Sequence, residues 1–538
     1  MKQSGKKIII LTSVIALSAL PAPCPGAAFQ SFESLRELAD KGEPYVTDVL
    51  TNFVFAEDVT ELRITEISKD LYIEGYVVGS PAQFPRNENN EIAWQMGSMS
   101  ATARNNARTL YLESKDGRYG FRLFFDDAAE AAAAGRLFGI LKLNLKGTRL
   151  VKEYSHYVIT GLKAGNVTSF QEGLKEDIPQ KNMHISELTD DDIFTWVTLQ
   201  DCEFVFKNGA YMNVRETYLP RSKTGRYTGN GWMNSWARLV FDQEGDSIYL
   251  GLDAKQADRR NGLGVKPGVG EVEGVLTKAF MPRYGRVREY YLRPPSLGEI
   301  YFAGDAEIPW TAIASWDWNT ISEGLNPSDT GSGTLTTDYP GSVGRFIDCD
   351  NPANILPNEG PSRGTYGCVE NGALSLQGRT SDWWDWSTGK ARSITFGFPA
   401  AGLGGTHLVF AWTFAAGRVN QETSYGYPSH WQVSYSTDGV NFSTVPDCVA
   451  DLHSLPYSSG SVDGKSYETS AEAGIGYTEH MVRLPASLLG NSRVWVRLSP
   501  ADRIVANMAY LHRDVMEATA DSNGPCTVNI GEVQILYR

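Results

Sequence analysis

The sequence predicts an all-β protein: two OB-like Greek-key barrels followed by a jelly-roll type β-sandwich. Three observations carry that expectation. Strand-like segments between about residues 60 and 300 recur in the same order, with Ile64 in one copy answering to Ile185 in the next. From about Asp305 onward, short alternating runs follow one another across long polar loops. Rings and turn formers are abundant, with 13 Trp, 25 Tyr and 53 Gly in 538 residues, and ring side chains pack well on pleated surfaces. A hydrophobic share of 42% lets each domain bury an ordinary core. The net charge of −14 argues against nucleic acid as a partner, because that affinity comes mainly from cations laid along phosphates.

Residues 1–28 read as a secretory signal. Lys2, Lys6 and Lys7 are followed by the apolar run Ile8–Leu20, which is too short to span a bilayer. Cleavage near Ala27 or Ala28 would release a soluble protein; lipidation of Cys24 is the other route. Pro21 and Pro23 stand where a lipoprotein signal carries Leu and a small residue. The chain is therefore expected to be exported, with membrane attachment only through such an N-terminal lipid.

Residues 29–175 form the first barrel with a helix ahead of it. In "FQSFESLRELAD", Phe29, Phe32, Leu35 and Leu38 recur at helical spacing. Alternation of Leu71 and Ile73, the Asp116-Gly117 turn within "RTLYLESKDGRYGFRLFF" and the alanine-rich connector Asp126–Ala134 follow. Residues 176–304 repeat the pattern: "ISELTDD" matches "ITEISKD", "DSIYLGLDAK" matches the first hairpin, and residues 270–294 match 140–162. Short strands with glycine corners fit a small OB-type barrel.

The segments "NNARTLYLESKDGRYGFRLFF", "ISELTDDDIFTWVTLQDCEFVFKNGAYMNV" and "PRYGRVREYYLRPPSLGEI" resemble the DUF5689 family of exported Bacteroidetes proteins, over roughly residues 45–300. The resemblance implies OB-like architecture, a place at the cell surface, outer membrane or periplasm, and frequent lipoprotein status. It supplies no established activity and no catalytic residues.

Residues 305–538 read as the sandwich, with strand-like runs from "GALSLQG" to the closing "CTVNIGEVQILYR". In "WQVSYSTDGVNFSTV", Trp431, Val433 and Tyr435 share a face and Asp438-Gly439 makes the turn. The hairpin and the closing strand resemble the carbohydrate-binding-module-like sandwiches at the C-termini of secreted bacterial proteins. That likeness is one of architecture, and architecture does not dictate function.

The densest ring cluster is "SDWWDWSTGK". Trp383, Trp384 and Trp386 lie between strand-like runs, and consecutive residues of an extended chain cannot all face one core. Together with Asp382 and Asp385 they offer what a sugar needs, a C–H stacking face and hydrogen-bond acceptors at its rim. The competing reading is that the rings plug one end of the sandwich. Trp316, Trp318, Tyr425 and Tyr427 supply further ring-rich loop material. A second candidate is the stripe Lys278, Arg283, Tyr284, Arg286 and Arg288, where cations interleave with rings as in sites for single strands. An anionic glycan or a solvated hairpin face fits the same stripe.

Catalysis finds little support. The histidines are scattered, and no GxSxG, P-loop or dinucleotide-binding motif is present. Asp382 and Asp385 as an acid/base pair for glycoside cleavage is a minor reading. Asp190–Asp192 sits where a turn or cap is expected. No cofactor is expected; a structural calcium ion in the sandwich loops is the one metal the carboxylates suggest, with Asp348 and Asp350 among them. Beyond the signal, Cys349–Cys368 and Cys448–Cys526 are candidate disulfides, buried thiols being the alternative. The expected function is non-catalytic recognition at the cell envelope with a polysaccharide or glycan as ligand. The alternative is a structural or adhesive protein that binds envelope proteins.

Overall fold

The computed structural model describes residues 29–44, 62–81, 107–153, 155–207, 221–222, 238–251, 265–278, 290–317, 327–337, 343–346, 373–377, 393–416, 426–428, 430–446, 448, 450–451, 460–462, 465–468, 478–501, 504–507, 515–517 and 527–538. Its helices among these residues are short, and β-structure dominates. The expected all-β class is observed.

The helix Phe32–Asp40 begins where the Ser31 hydroxyl accepts the Ser34 N–H at 3.1 Å, and it buries Phe32, Leu35 and Ala39 against the first barrel. Phe29 lies ahead of the cap, 44% exposed and bridged to Tyr72, so the buried stripe starts one turn later than the spacing implied.

In the first barrel, strand Tyr72–Gly79 pairs antiparallel with Thr109–Ser114 and Ile140–Asn144. Thr109–Ser114 turns at Asp116-Gly117 into Gly120–Phe125, which runs parallel to His156–Leu162. Gly117 holds φ +74°, a left-handed value that glycine adopts without strain. The second barrel repeats this circuit and closes it. Trp196–Phe204 pairs with Arg238–Phe241 and Gly270–Lys278. Ser247–Leu250 runs parallel to Tyr290–Arg293, which pairs back onto Gly270–Lys278. In the first barrel the strand equivalent to Gly270–Lys278 is split into Ile140–Asn144 and Arg149–Glu153 by a turn at Gly147, φ +83°.

The matching heptapeptides before each barrel differ in conformation. Leu62–Glu66 is a strand paired with Arg149–Glu153. Ile185–Glu187 and Asp190–Asp192 are single 3₁₀ turns, the second tied down because Asp192 accepts both the backbone N–H and the hydroxyl of Thr189 at 2.9 Å. Sequence similarity there reports a shared turn composition, not a shared backbone.

The barrels meet through Val78, Tyr111, Ile178, Ile193, Phe194, Trp196 and Val275. Tyr111 stacks on Phe194 at 5.1 Å, and buried Glu113 accepts the Trp196 N–H at 2.8 Å.

The C-terminal domain is a sandwich of two facing sheets. One is built on the long strand Thr527–Tyr537, flanked by Leu408–Ala416 and then Thr478–Leu484. The other has the order Thr334–Thr337, Ile394–Phe398, Val494–Pro500, His430–Ser436. Trp316, Phe396, Phe410, Trp412, Trp431, Val433, Val496 and Ile535 fill the space between them. Trp431 and Val433 are buried and Tyr435 packs on the same core, as the alternation implied.

The outer faces of the two sheets differ in kind. That of the first sheet packs Val409, Ala411 and Leu536 against Val205, Phe206, Leu239 and Phe241 of the second barrel. Fully buried Arg238 lies 2.7 Å from Glu479, and Arg483 forks onto Asp246 at 2.9 and 3.0 Å. That of the second sheet is polar and carries the site described next.

Candidate functional site

Strand Val494–Pro500 alternates cleanly. Val494, Val496 and Leu498 enter the core, while Arg493, Trp495 and Arg497 face outward and are partly exposed. Registers across the sheet place two rows beside them. One is Thr334, Gly397, Trp495 and Ser436; the next is Thr336, Thr395, Arg497 and Ser434, with exposed Thr444 beyond. The outer face is thus a field of hydroxyls crossed by one indole and two guanidinium groups.

Two glycines seat the indole. A Cβ at Gly397 would lie 3.1 Å from Cδ1 and 3.2 Å from Nε1 of Trp495, and one at Gly439 would lie 3.2 Å from Cε2. Gly439 has φ +74° in a turn locked by its neighbours. The Ser436 hydroxyl accepts the N–H groups of Asp438 and Gly439 at 3.2 and 2.9 Å, and Asp438 Oδ1 accepts those of Val440 and Asn441 at 2.8 Å. These hydrogen bonds hold the Asp438 carboxyl well below the usual carboxylate range. The ring is therefore held between the sheet and the turn. Arg493 donates from Nη2 to Thr334 Oγ1 at 2.5 Å, and its guanidinium carbon lies 5.8 Å from the Trp495 ring centre. Arg497 lies over the Phe442 ring at 3.4 Å and donates to Thr395 Oγ1 at 3.3 Å.

Of the ring-rich residues expected at a ligand site, Trp316 is corrected: it is wholly buried, edge-on to Phe396 at 5.0 Å. It sits in strand Thr311–Trp316, where the inward position takes the largest apolar side chain. Tyr427 falls in the short strand Gly426–Pro428, paired with Ile504–Asn507. Asp382, Trp383, Trp384, Asp385, Trp386, Trp318 and Tyr425 lie outside the described residues. Trp495 and Arg493 were not singled out from the sequence, although the alternation of "RVWVRLS" points its three large polar or ring side chains, Arg493, Trp495 and Arg497, away from the core.

The basic stripe is also corrected where it is described. Lys278 is bound 2.6 Å from Asp190 and lies over the Tyr290 ring at 4.8 Å, so its charge is already matched. Asp190 further accepts the Ser155 and Tyr290 hydroxyls at 2.5 and 2.6 Å. Burial raises its carboxyl, but these donors and Lys278 outweigh that and hold it at about 2. Arg283, Tyr284, Arg286 and Arg288 lie outside the described residues.

Among the described residues no three His, Cys, Asp or Glu side chains gather as a metal site. Cys448 is a buried thiol whose sulfur accepts the Val433 N–H at 3.2 Å and donates to the Val433 carbonyl at 3.3 Å. Cys24, Cys349, Cys368, Cys526, Asp348 and Asp350 lie outside the described residues.

No family model and no curated protein matches the chain. Among solved structures it is similar to the carbohydrate-binding module TmCBM61 in complex with β-1,4-galactotriose, at 10% identity and TM-score 0.18, covering 38% of this chain and 88% of that one. It is similar to the mannan-recognising module TmCBM27 at 11% identity and TM-score 0.20, covering 43% and 99%. It is also similar to the K1 cleaved adhesin domain of Lys-gingipain from Porphyromonas gingivalis W83, at 15% identity and TM-score 0.19, covering 43% and 93%. Likenesses at this level leave the function of the sandwich to its own residues.

Proposed function

We propose that this chain is an exported, non-catalytic binding protein of the cell envelope, and that the outer face around Trp495 takes a glycan. One observation carries the reading: a partly exposed indole, seated by Gly397 and Gly439, lies in a field of hydroxyls. A pyranose presents C–H faces and a rim of hydroxyls. The indole stacks on the first, and the exposed hydroxyls of Thr336 and Thr444 can donate to and accept from the second. Export rests on the N-terminal pattern of Lys2, Lys6, Lys7 and Ile8–Leu20, with lipidation of Cys24 as the means of anchoring.

The test is retention of the full chain in gels containing single polysaccharides. Trp495→Ala is expected to abolish retention while leaving the melting temperature within about 2 °C, because the ring is outside the core. Retention that survives Trp495→Ala but fails in Trp384→Ala moves the site to the Trp383–Trp386 segment. Retention that survives both overturns the reading. Gly397→Ala should weaken retention too, by displacing the ring without removing it.

A further inference from the structure

We infer that the ligand of this face is an acidic glycan, a uronate-bearing chain whose carboxylate is held by Arg493 while the adjoining ring lies on Trp495. The inference rests on the glycan reading above and names the class of sugar.

Three observations support it. First, Arg493 directly precedes the strand Val494–Pro500, two positions before Trp495, with guanidinium carbon and ring centre 5.8 Å apart. A carboxylate on that guanidinium therefore lies beside whatever stacks on the indole. Second, Arg493 has only a neutral partner among the described residues, the hydroxyl of Thr334. Other arginines in the chain are matched with acids: Arg238 with Glu479, Arg483 with Asp246, Arg149 with Glu66. The carboxylate in the turn beside Trp495, Asp438, is taken up by the Val440 and Asn441 N–H groups, the Ser436 hydroxyl and the Asn441 side-chain amide. Third, Arg497 is a second guanidinium on the same face, over the Phe442 ring and bound to Thr395. In a chain of net charge −14, Arg493 is a cation that no described acid matches.

The planar guanidinium fork selects the kind of anion. It matches a carboxylate with two parallel hydrogen bonds, which a neutral hydroxyl cannot offer. Charge complementarity of this kind contributes specificity and association rate more than raw affinity. The acid should therefore be preferred over its own neutral ester, while stacking supplies a binding floor common to both.

The experiment measures dissociation constants of the full chain for polygalacturonate, alginate, fully methyl-esterified polygalacturonate, a neutral galactan and dextran sulfate. At least one polyuronate is expected to bind at least tenfold more tightly than the esterified polymer. Arg493→Gln should erase that preference and leave ester binding within about twofold, and Arg493→Lys should restore part of it. Trp495→Ala should abolish binding of acid and ester alike. Equal affinity for acid and ester, or a preference that survives Arg493→Gln, overturns this inference while leaving a glycan site in place. Tight binding of dextran sulfate that ignores Trp495→Ala shows a nonspecific polyanion surface and also overturns it. If none of the polysaccharides binds, the glycan reading falls, and this inference with it.

Discussion

The two junctions between domains use the same device with opposite electrostatics. Between the barrels, Glu113 reaches across to accept the Trp196 N–H at 2.8 Å; between the second barrel and the sandwich, Glu479 accepts that of Leu239 at 2.6 Å. Both carboxyls are buried. Glu479 has Arg238 at 2.7 Å, and its own backbone carbonyl accepts the Tyr249 hydroxyl at 2.5 Å. Glu113 has no cation in contact, and its Oε1 has no hydrogen-bond partner among the described residues. Burial raises both carboxyls. Glu479 is pulled back by Arg238 and stands at about 7, while Glu113, relieved only by the Trp196 N–H and a distant Lys181, stands at about 8. One junction is held with a charge pair and the other with a proton. A buried carboxyl with a matched cation tolerates ionisation; one without must remain neutral.

The largest expected effect comes from removing the cation. Arg238→Met leaves Glu479 buried and unpaired, which costs about 3–5 kcal/mol at pH 8. The loss should shrink as the pH falls towards 7 and level off below it, because Glu479 without Arg238 takes up its proton above that value and the parent's carboxyl takes up its own below it. The double variant Arg238→Met/Glu479→Gln should recover most of the stability, since neither charge remains. Thermal melts of the full chain at pH 5 and pH 8 measure all of this, and an equal loss at both pH values would deny that a stranded carboxylate is the cause.

Glu113 gives the converse case. Its folded-state value lies above the ordinary 4.5, so its contribution is fully present below pH 4.5 and declines as the pH rises towards 8. Glu113→Gln keeps an acceptor for the Trp196 N–H and cannot ionise. Variant and parent should match near pH 4.5, and the variant should be more stable by about 2–4 kcal/mol at pH 9. Denaturant titrations across that window test it. A gap that is the same at both ends would mean that Glu113 does not titrate there.

How far these features could be read from the sequence depends on how local their causes are. Strand alternation is local, so the shared face of Trp431, Val433 and Tyr435 was legible, and it is the face that enters the core. The contrast between Leu408–Ala416, apolar on both faces, and Val494–Pro500, apolar on one, was also present in the letters. What the letters did not show was which outer face another domain covers. Density of rings drew attention to Trp316, which is core, and away from Trp495, a single indole at an outward position. Glu113 and Glu479 look like ordinary surface glutamates of alternating strands. Their backbone partners lie 83 and 240 positions away, a separation no window of sequence can span. Lys278 looked available for the same reason: Asp190 is 88 positions off.

Asp190 gives a smaller effect at the edge of the barrel junction. Its carboxyl is held down at about 2 by Lys278, Ser155 and Tyr290, so its contribution is present above pH 3.8 and lost as the pH falls towards 2. The side chain is 44% exposed and water screens it. Asp190→Asn should cost about 1 kcal/mol at pH 7 and less near pH 2. Acid-unfolding midpoints of parent and variant check the sign: the parent should lose its advantage on acidification.

The smallest effect sharpens the comparison most. Arg483 and Asp246 join the same two domains as Arg238 and Glu479, with forked geometry at 2.9 and 3.0 Å, yet their side chains are 48% and 24% exposed. If ion pairing as such held the junction, the two pairs would matter equally. Water argues otherwise, since exposed pairs contribute about 0.2–1 kcal/mol and salt screens them within about 8–10 Å. Asp246→Asn should therefore cost less than about 1 kcal/mol, and 0.5 M salt should erase most of that difference while leaving the Arg238→Met loss nearly intact. A rim variant as damaging as Arg238→Met would place the strength of this junction in charge pairing itself, and burial would no longer explain why the inner pair dominates.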